Sequence, residues 1–251
     1  MVGGVGAGVQ VVGIDRILDE TVLRERRLAE AAVGNASVTT DFYGKLLDLV
    51  GTTEVPSSVS VSITNFEASL LEASYRPESE TRLYAVLTAA QAITAKVNAI
   101  SDGIQVARQD AEVSIEAEVD TLNQTLQQVA DLNTEILRAK GAGLEYPSLL
   151  DQRQKLVDQI SQTVPIRQLP RDNDTIALYT VTGGLLLDAQ PAVFGFAATS
   201  PITPDMTDAS GALSRLTLNG DPIQTSGSFS PIAGGSLAGL FEVRDDVSIQ
   251  A

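Results

Sequence analysis

Apolar residues recur along this chain in two rhythms, and the change between them divides it. From Val113 to Lys140 the residues Ile115, Val119, Leu122, Leu126, Val129 and Ile136 lie on one helical stripe, in steps of four and three broken only by Asn133. Such a stripe is a coiled-coil seam. The break at Gly141-Ala142-Gly143 is followed by Tyr146-Pro147-Ser148-Leu149-Leu150-Asp151-Gln152-Arg153, which opens a second amphipathic helix to about Gln162. Together these predict a long helical hairpin, a rod-building element rather than a catalytic one.

Upstream, Ile17, Leu18, Val22, Leu23, Leu28, Ala29, Ala32 and Val33 repeat at helical spacing from near Asp15, and Phe42, Leu46, Leu49 and Val50 resume the pattern before Gly51. Gly34-Asn35-Ala36-Ser37 interrupts it, but one helical glycine costs only ~1 kcal/mol, so the spacing predicts one long helix. Thr52–Ser58, with Pro56, reads as a loop. In Ser60–Ala73 a strand-like alternation of Val59, Val61 and Ile63 competes with a helical face of Ile63, Phe66, Leu70 and Ala73, and helix is the expectation. Ser79 is placed to cap the next helix with its hydroxyl. Leu83, Val86, Leu87, Ala90, Ile93, Val97 and Ile100 carry that helix past Gly103 into the seam.

From Val164 the period shortens. Pro165, Pro170, Asp172-Asn173-Asp174, Gly183-Gly184 and Asn219-Gly220-Asp221 bound short runs at Thr175–Val181, Leu185–Leu187 and Leu216–Leu218, which read as strands joined by turns. Asn-Gly favours a hairpin because both residues tolerate positive φ. Helical character returns at Gly234 and the chain stops as a helix begins. The expected fold class is therefore α+β: an elongated antiparallel helical bundle with an inserted β-rich domain. Residues 1–13 are a glycine-rich lead with a short strand at Val9–Val12, 14–163 the bundle, 164–233 the β-rich insertion, and 234–251 the return to the bundle.

Composition narrows the function. The chain has 251 residues and a net charge of -15, which argues against nucleic acid, since phosphate must be met by clustered Lys and Arg. Arg24, Arg26 and Arg27 form the one dense basic cluster, read as a solvated helix face. No apolar run approaches the ~20 residues that cross a bilayer, and the glycine-rich start lacks the features of a secretory signal. With no Cys there is neither a disulfide nor a thiolate metal site.

With no His, a Ser-His-Asp triad and an imidazole metal site are both unavailable, and no Ser-x-x-Lys dyad precedes Lys45, Lys96, Lys140 or Lys155. Gly3-Gly4-Val5-Gly6-Ala7-Gly8 fits neither phosphate-loop spacing. Asp172-Asn173-Asp174 begins like a calcium loop, but Ala177 and Gly183 stand where that loop needs Gly and Glu, so a turn is expected. Asp245-Asp246 reads as a solvated pair. The chain is expected to be no enzyme and to hold no cofactor; a carboxylate enzyme would need a cleft where two acids converge.

Three motifs in order carry a resemblance: Gly6-x-Gly8-Val9-x-Val11 leading to Arg16-x-x-Asp19, then Leu149-Leu150-Asp151-Gln152-Arg153, then Gly234-Gly235-Ser236-Leu237-Ala238-Gly239-Leu240-Phe241-Glu242-Val243-Arg244-Asp245. In that order they resemble the flagellar hook-associated protein 1 family, subunits of the first ring at the bacterial hook-filament junction. The resemblance implies a helical bundle with an outer β domain inserted before its last helix, on a secreted, extracellular flagellar protein. It implies as partners identical subunits in a ring, the hook protein, the next junction protein, and an export chaperone bound through a C-terminal segment. It also implies that this chain is a core without the family's two long terminal segments, monomeric alone. The structural motif positions are Gly8, Val9, Arg16, Asp19, Leu149, Leu150, Asp151, Gln152, Arg153, Gly235, Leu237, Gly239, Leu240, Glu242, Arg244 and Asp245. Asn133 is expected to fix helix register within the bundle. Rival readings are the third hook-associated protein, a flagellin, or a coiled-coil surface antigen or adhesin.

Overall fold

The computed structural model describes residues 19–247. Gly8, Val9, Arg16 and the expected strand at Val9–Val12 lie outside the described residues. Five α-helices are present among them: α1 (Glu20–Val50), α2 (Val59–Tyr75), α3 (Glu80–Gly141), α4 (Pro147–Thr163) and α5 (Ser236–Glu242), the last running into a π-helical turn at Val243–Val247. Between α4 and α5 lie β1 (Ile166–Pro170), β2 (Ile176–Thr180) and β3 (Leu185–Leu187), then β4 (Phe194–Gly195), β5 (Thr217–Leu218) and β6 (Asp221–Pro222). Each trio forms an antiparallel sheet in chain order. The fold is α+β.

Local chemistry sets the element ends. Asp19 caps α1, its Oδ1 accepting from the Thr21 and Val22 amides at 2.9 and 3.2 Å, so that helix starts at Glu20 rather than near Asp15. Ser58 caps α2 through Oγ, and the ambiguous stretch after it is helix. Ser79 holds the cap position of α3, but its hydroxyl makes no cap hydrogen bond. The Asn219-Gly220 pair turns β5 into β6 with φ of 54° and 90°, the geometry such a dipeptide favours.

The seam residues Ile115, Val119, Leu122, Leu126, Val129 and Ile136 are all buried. Those from Ile115 to Val129 close on the chain's own elements: the same cluster holds Val157 and Ile160 of α4, Leu237 and Phe241 of α5, and Ile176, Leu178, Leu186 and Phe194 of the strands. Bundle and sheets thus share one core. Three strands, β1, β4 and β6, carry no alternation strong enough to be read in the sequence; β1 is bounded by prolines, and β4 and β6 are two residues long.

Several expectations need correction. The apolar face predicted for the first half of α1 is turned largely outward, with Val22 59% and Val33 67% exposed, while Arg27 and Ala31 are buried; in the second half the predicted face does meet the core, through Phe42 and Leu46. The reason is the Gly34-Asn35 interruption, which leaves the helix continuous and forms its contact with α5. Of the basic cluster, Arg24 and Arg26 are exposed as expected, but Arg27 is buried: it pairs with Asp158 of α4, as Arg26 also does, and donates to Gln168 at 2.9 Å. Asn133 meets strand β2 and Arg153 of α4, so it sets the sheet as well as the helices. Finally, α3 contains an apolar window of membrane-spanning length, mean hydropathy 1.2, none of it buried. The sequence reading missed it because Ala and Thr dilute the large side chains.

Candidate functional site

Alongside its apolar seam, α3 carries a second stripe. Gln105, Gln109, Glu112, Glu116 and Asn123 recur at helical spacing on one face, where a surface helix would present them to water. Here Gln105 accepts from the Arg108 side chain at 3.1 Å, and the other four hold backbone. Glu116 accepts the Ala198 amide at 3.1 Å, Gln109 accepts Ile202 N at 2.9 Å and donates to Thr199 O at 3.2 Å, and Glu112 accepts Thr199 N at 2.7 Å. Asn123 pairs with both backbone groups of Phe194 at 2.8 Å each, as a neighbouring strand would. Asn133 does the same for Ile176, at 2.9 and 3.2 Å. Two amides therefore key the two sheets onto one helix, satisfying peptide groups whose burial unpaired is costly.

At the centre of this stripe sits a buried charge cluster. Arg244 is 1% exposed and Glu112 0%. The Arg244 guanidinium donates to Glu112 at 2.7 Å, to Ser214 O at 3.0 Å and to both oxygens of Asp245 at 2.6 and 2.8 Å. It also lies 4.7 Å from the ring centre of Phe241. Burial pulls its pKa down, but the hydrogen bonds and charges of Asp245 and Glu112 outweigh that and hold it above the ordinary value. Arg108, beside it, donates to the carbonyls of Arg244 at 3.0 Å, Thr203 at 3.3 Å and Met206. Burial lowers its pKa, with Asp245 opposing. The cluster ties α3, the 199–214 loop and the end of α5 into one unit.

A third junction is made by small residues. Gly34, Asn35 and Val38 of α1 face α5, where Gly34 lies by Ser236 and Gly239 against Asn35 and Val38, and Asn35 donates to Gly235 O at 3.1 Å. Ser236 donates to Glu118 of α3 at 2.9 Å. Burial pushes the Glu118 carboxyl above the usual range, against that hydrogen bond, which pulls it down. A carboxyl raised in the folded state favours the protonated form, so stability is lost as pH rises through the folded pKa. Glu118→Gln keeps an acceptor for Ser236. It is expected to raise the melting temperature at pH 7 and to match the parent at about pH 3, below both pKa values. Melts at the two pH values check this; an equal gain at both would mean that ionisation is not the cause.

The motif residues divide cleanly. Arg153 is buried and donates to Asn133 Oδ1 at 2.9 Å and Asp174 O at 2.6 Å. Leu237, Gly239, Leu240 and Arg244 are buried, Leu149 and Leu150 half-buried, and Asp151, Gln152 and Glu242 exposed. Asp19 is a helix cap, Gly235 seats the start of α5, and Asp245 is chelated by Arg244 rather than solvated. Asp172-Asn173-Asp174 is a turn with Asn173 and Asp174 at positive φ, and Asp174 accepts from Lys140 and Tyr146 at 2.7 Å each. Asp208, Glu242, Asp245 and Asp246 do share a surface cleft of about 750 Å³, though both Asp245 oxygens are engaged by Arg244. Among the described residues no group of three or more acids is arranged to hold a metal. Sequence reasoning missed Arg108, Glu112 and Asn123; a polar stripe flanking an apolar seam was the available signal.

Residues 46–251 match the family described as Flagellar hook-associated protein FlgK helical domain. Flagellar hook-associated protein 1 of Escherichia coli (strain K12) is 25% identical over 207 residues, covering 82% of this chain and 38% of that protein. The Bacillus subtilis (strain 168) protein of that name is 25% identical over 249 residues, covering 96% and 48%. The chain thus spans less than half the length of these relatives. The solved structure of the flagellar hook junction protein FlgK from Burkholderia pseudomallei shares the fold, with a TM-score of 0.70 and 18% identity over 88% of this chain and 39% of that one. The chain belongs to the FlgK helical domain family of flagellar hook-associated proteins.

Proposed function

We propose that this chain is the core of a non-catalytic structural subunit that joins hook to filament in the bacterial flagellum, outside the cell. The observation that carries the reading is α3: one helix of 62 residues to which α1, α2, α4, α5 and strands of both sheets are fixed. Force entering at any element reaches the others through a single rod and a shared core. That is the construction a mechanical coupler needs, and the names of the relatives support its place at the junction.

In this reading residues 14–163 and 234–251 form the bundle and 164–233 face outward as the β-rich part. Identical subunits form a ring, with the hook protein on one side and the next junction protein on the other, and an export chaperone binds through a C-terminal segment. The motif positions Asp19, Arg153, Arg244 and Asp245 hold the subunit together rather than meet neighbours. Lateral contacts are individually modest, so the chain alone is monomeric when dilute, and closure of the ring makes the contacts add. Deleting the coding gene is expected to leave hooks without filaments and to abolish swimming. Filaments firmly seated on hooks in the deletion strain overturn the reading.

A further inference from the structure

A cleft of about 840 Å³ lies between the first turns of α1 and strand β1, and all five residues of β1, Ile166–Pro170, line it. Side chains alternate between the two faces of a strand, so a cleft on one face would meet every second residue; one that meets five in a row runs along the edge. No residue of β2 lines it. β1 pairs with β2 alone, and among the described residues no hydrogen bond joins the main chain of its outer edge to another element. Such an edge is a template for a further strand.

The cleft is also basic in an acidic chain. Arg24, Arg27 and Arg167 line it against one acid, Glu20, in a molecule of net charge -15. Asp158 of α4, the acid nearest Arg27, is shared by Arg26 and Arg27 and leaves that surplus standing. Arg24 and Arg167 are exposed and carry no ion pair among the described residues. Arg27 is buried; its Nε and Nη1 are taken by Asp158 and Gln168, and its Nη2 is buried with no partner. A buried donor without an acceptor is costly, and an acceptor brought against β1 supplies what Arg27 lacks. We propose that the cleft takes an extended acidic segment of a protein partner, which adds to β1 as a further strand while its carboxylates meet Arg24 and Arg167. Edge pairing selects an extended main chain, and arginines in surplus select carboxylates. Leu28 and Leu169, 39% and 45% exposed, give apolar contact to the residues between the acids. The site is independent of the junction role.

The probe is a fluorescein-labelled pentapeptide, Val-Glu-Val-Glu-Val, titrated with the intact chain and followed by anisotropy. Saturable binding is expected even though peptide and protein repel overall, because repulsion from distant charges is screened by salt while contacts in the cleft are not. The double variant Arg24→Glu/Arg167→Glu should weaken binding about tenfold or more, through loss of two charge-assisted contacts. Both positions are exposed, so thermal unfolding should not change. The same peptide with lysines for its glutamates should bind about tenfold or more weakly, and so should one N-methylated at every backbone amide, which keeps both carboxylates but cannot donate to a strand edge. Four outcomes overturn the proposal: no saturable binding at millimolar concentration; equal binding of the lysine peptide; equal binding of the methylated peptide, which marks an anion contact alone; or undiminished binding by the double variant, which places the peptide elsewhere. Filament loss in the deletion strain and peptide binding are separate readouts, so either reading can fall without the other.

Discussion

Replacing Arg244 by methionine is expected to lower the unfolding free energy by about 3–5 kcal/mol, the cost of breaking a buried ion pair from one side. Methionine keeps much of the volume against Phe241 but removes every donor. Glu112, 0% exposed, would then keep one hydrogen bond, from the Thr199 amide, and the charge of nearby Arg108, and Asp245 would lose both of its bonds to the guanidinium. A second substitution separates charge from packing. Glu112→Gln in the Arg244→Met background removes the stranded charge while its amide oxygen still accepts from Thr199. It should recover about 2 kcal/mol of the loss, since a neutral buried acceptor costs less than a charged one. Urea unfolding of the parent, single and double variants measures both. A single-variant loss under about 1 kcal/mol would mean that water reaches Glu112 and that the cluster does not tie α5 to α3.

The periodic elements were legible because burial acts on them directly. The seam from Ile115 to Ile136 is apolar at every helical step but one, and a stripe of that length has no other stable use than packing. The turn at Asn219-Gly220 was legible because the conformation it needs excludes most residues. What could not be read was where the stripe's neighbours lie. Gln109, Glu112 and Glu116 have the spacing of a solvated flank, and their partners are backbone groups of a loop some eighty to ninety residues further on, whose side chains carry no trace of the pairing. Asn123 and Asn133 are both partners of strand backbone, yet only Asn133 stood out, because it alone interrupts the apolar pattern. Gly34-Asn35 was seen as a defect in a helix. The physical cause is the reverse: small residues are where two helices come closest, so Gly34 and Asn35 mark the stretch of α1 that meets α5.

Gly235→Ala should be among the most damaging single-methyl changes this chain can suffer, with an expected loss of about 3 kcal/mol or more, at or beyond the upper end for overpacking. The backbone there is extended, with φ at -102°, so the residue's own conformation permits a side chain. The restriction is space. A methyl group would lie 2.1 Å from the Thr163 carbonyl oxygen and 2.7 Å from its carbon, both backbone at the end of α4, and 3.0 Å from Pro165 Cδ. None of these is the free end of a flexible side chain, so relief requires α5 to move off α4, which would drag Leu237 and Phe241 from the core. Gly239→Ala meets the backbone Asn35 O at 2.9 Å and Val38 Cβ at 3.2 Å, so α1 must give way there too, but by far less than the 2.1 Å approach at Gly235 demands, and its cost should be lower. Gly44→Ala faces open space inside α1 and should stabilise by about 0.5–1 kcal/mol, the gain from removing a helical glycine. Denaturant unfolding should therefore rank the four proteins as Gly44→Ala above parent, then Gly239→Ala, then Gly235→Ala. If Gly235→Ala unfolds with the parent, α5 is not seated on the end of α4, and the path by which α1, α4 and α5 share force with α3 must run elsewhere.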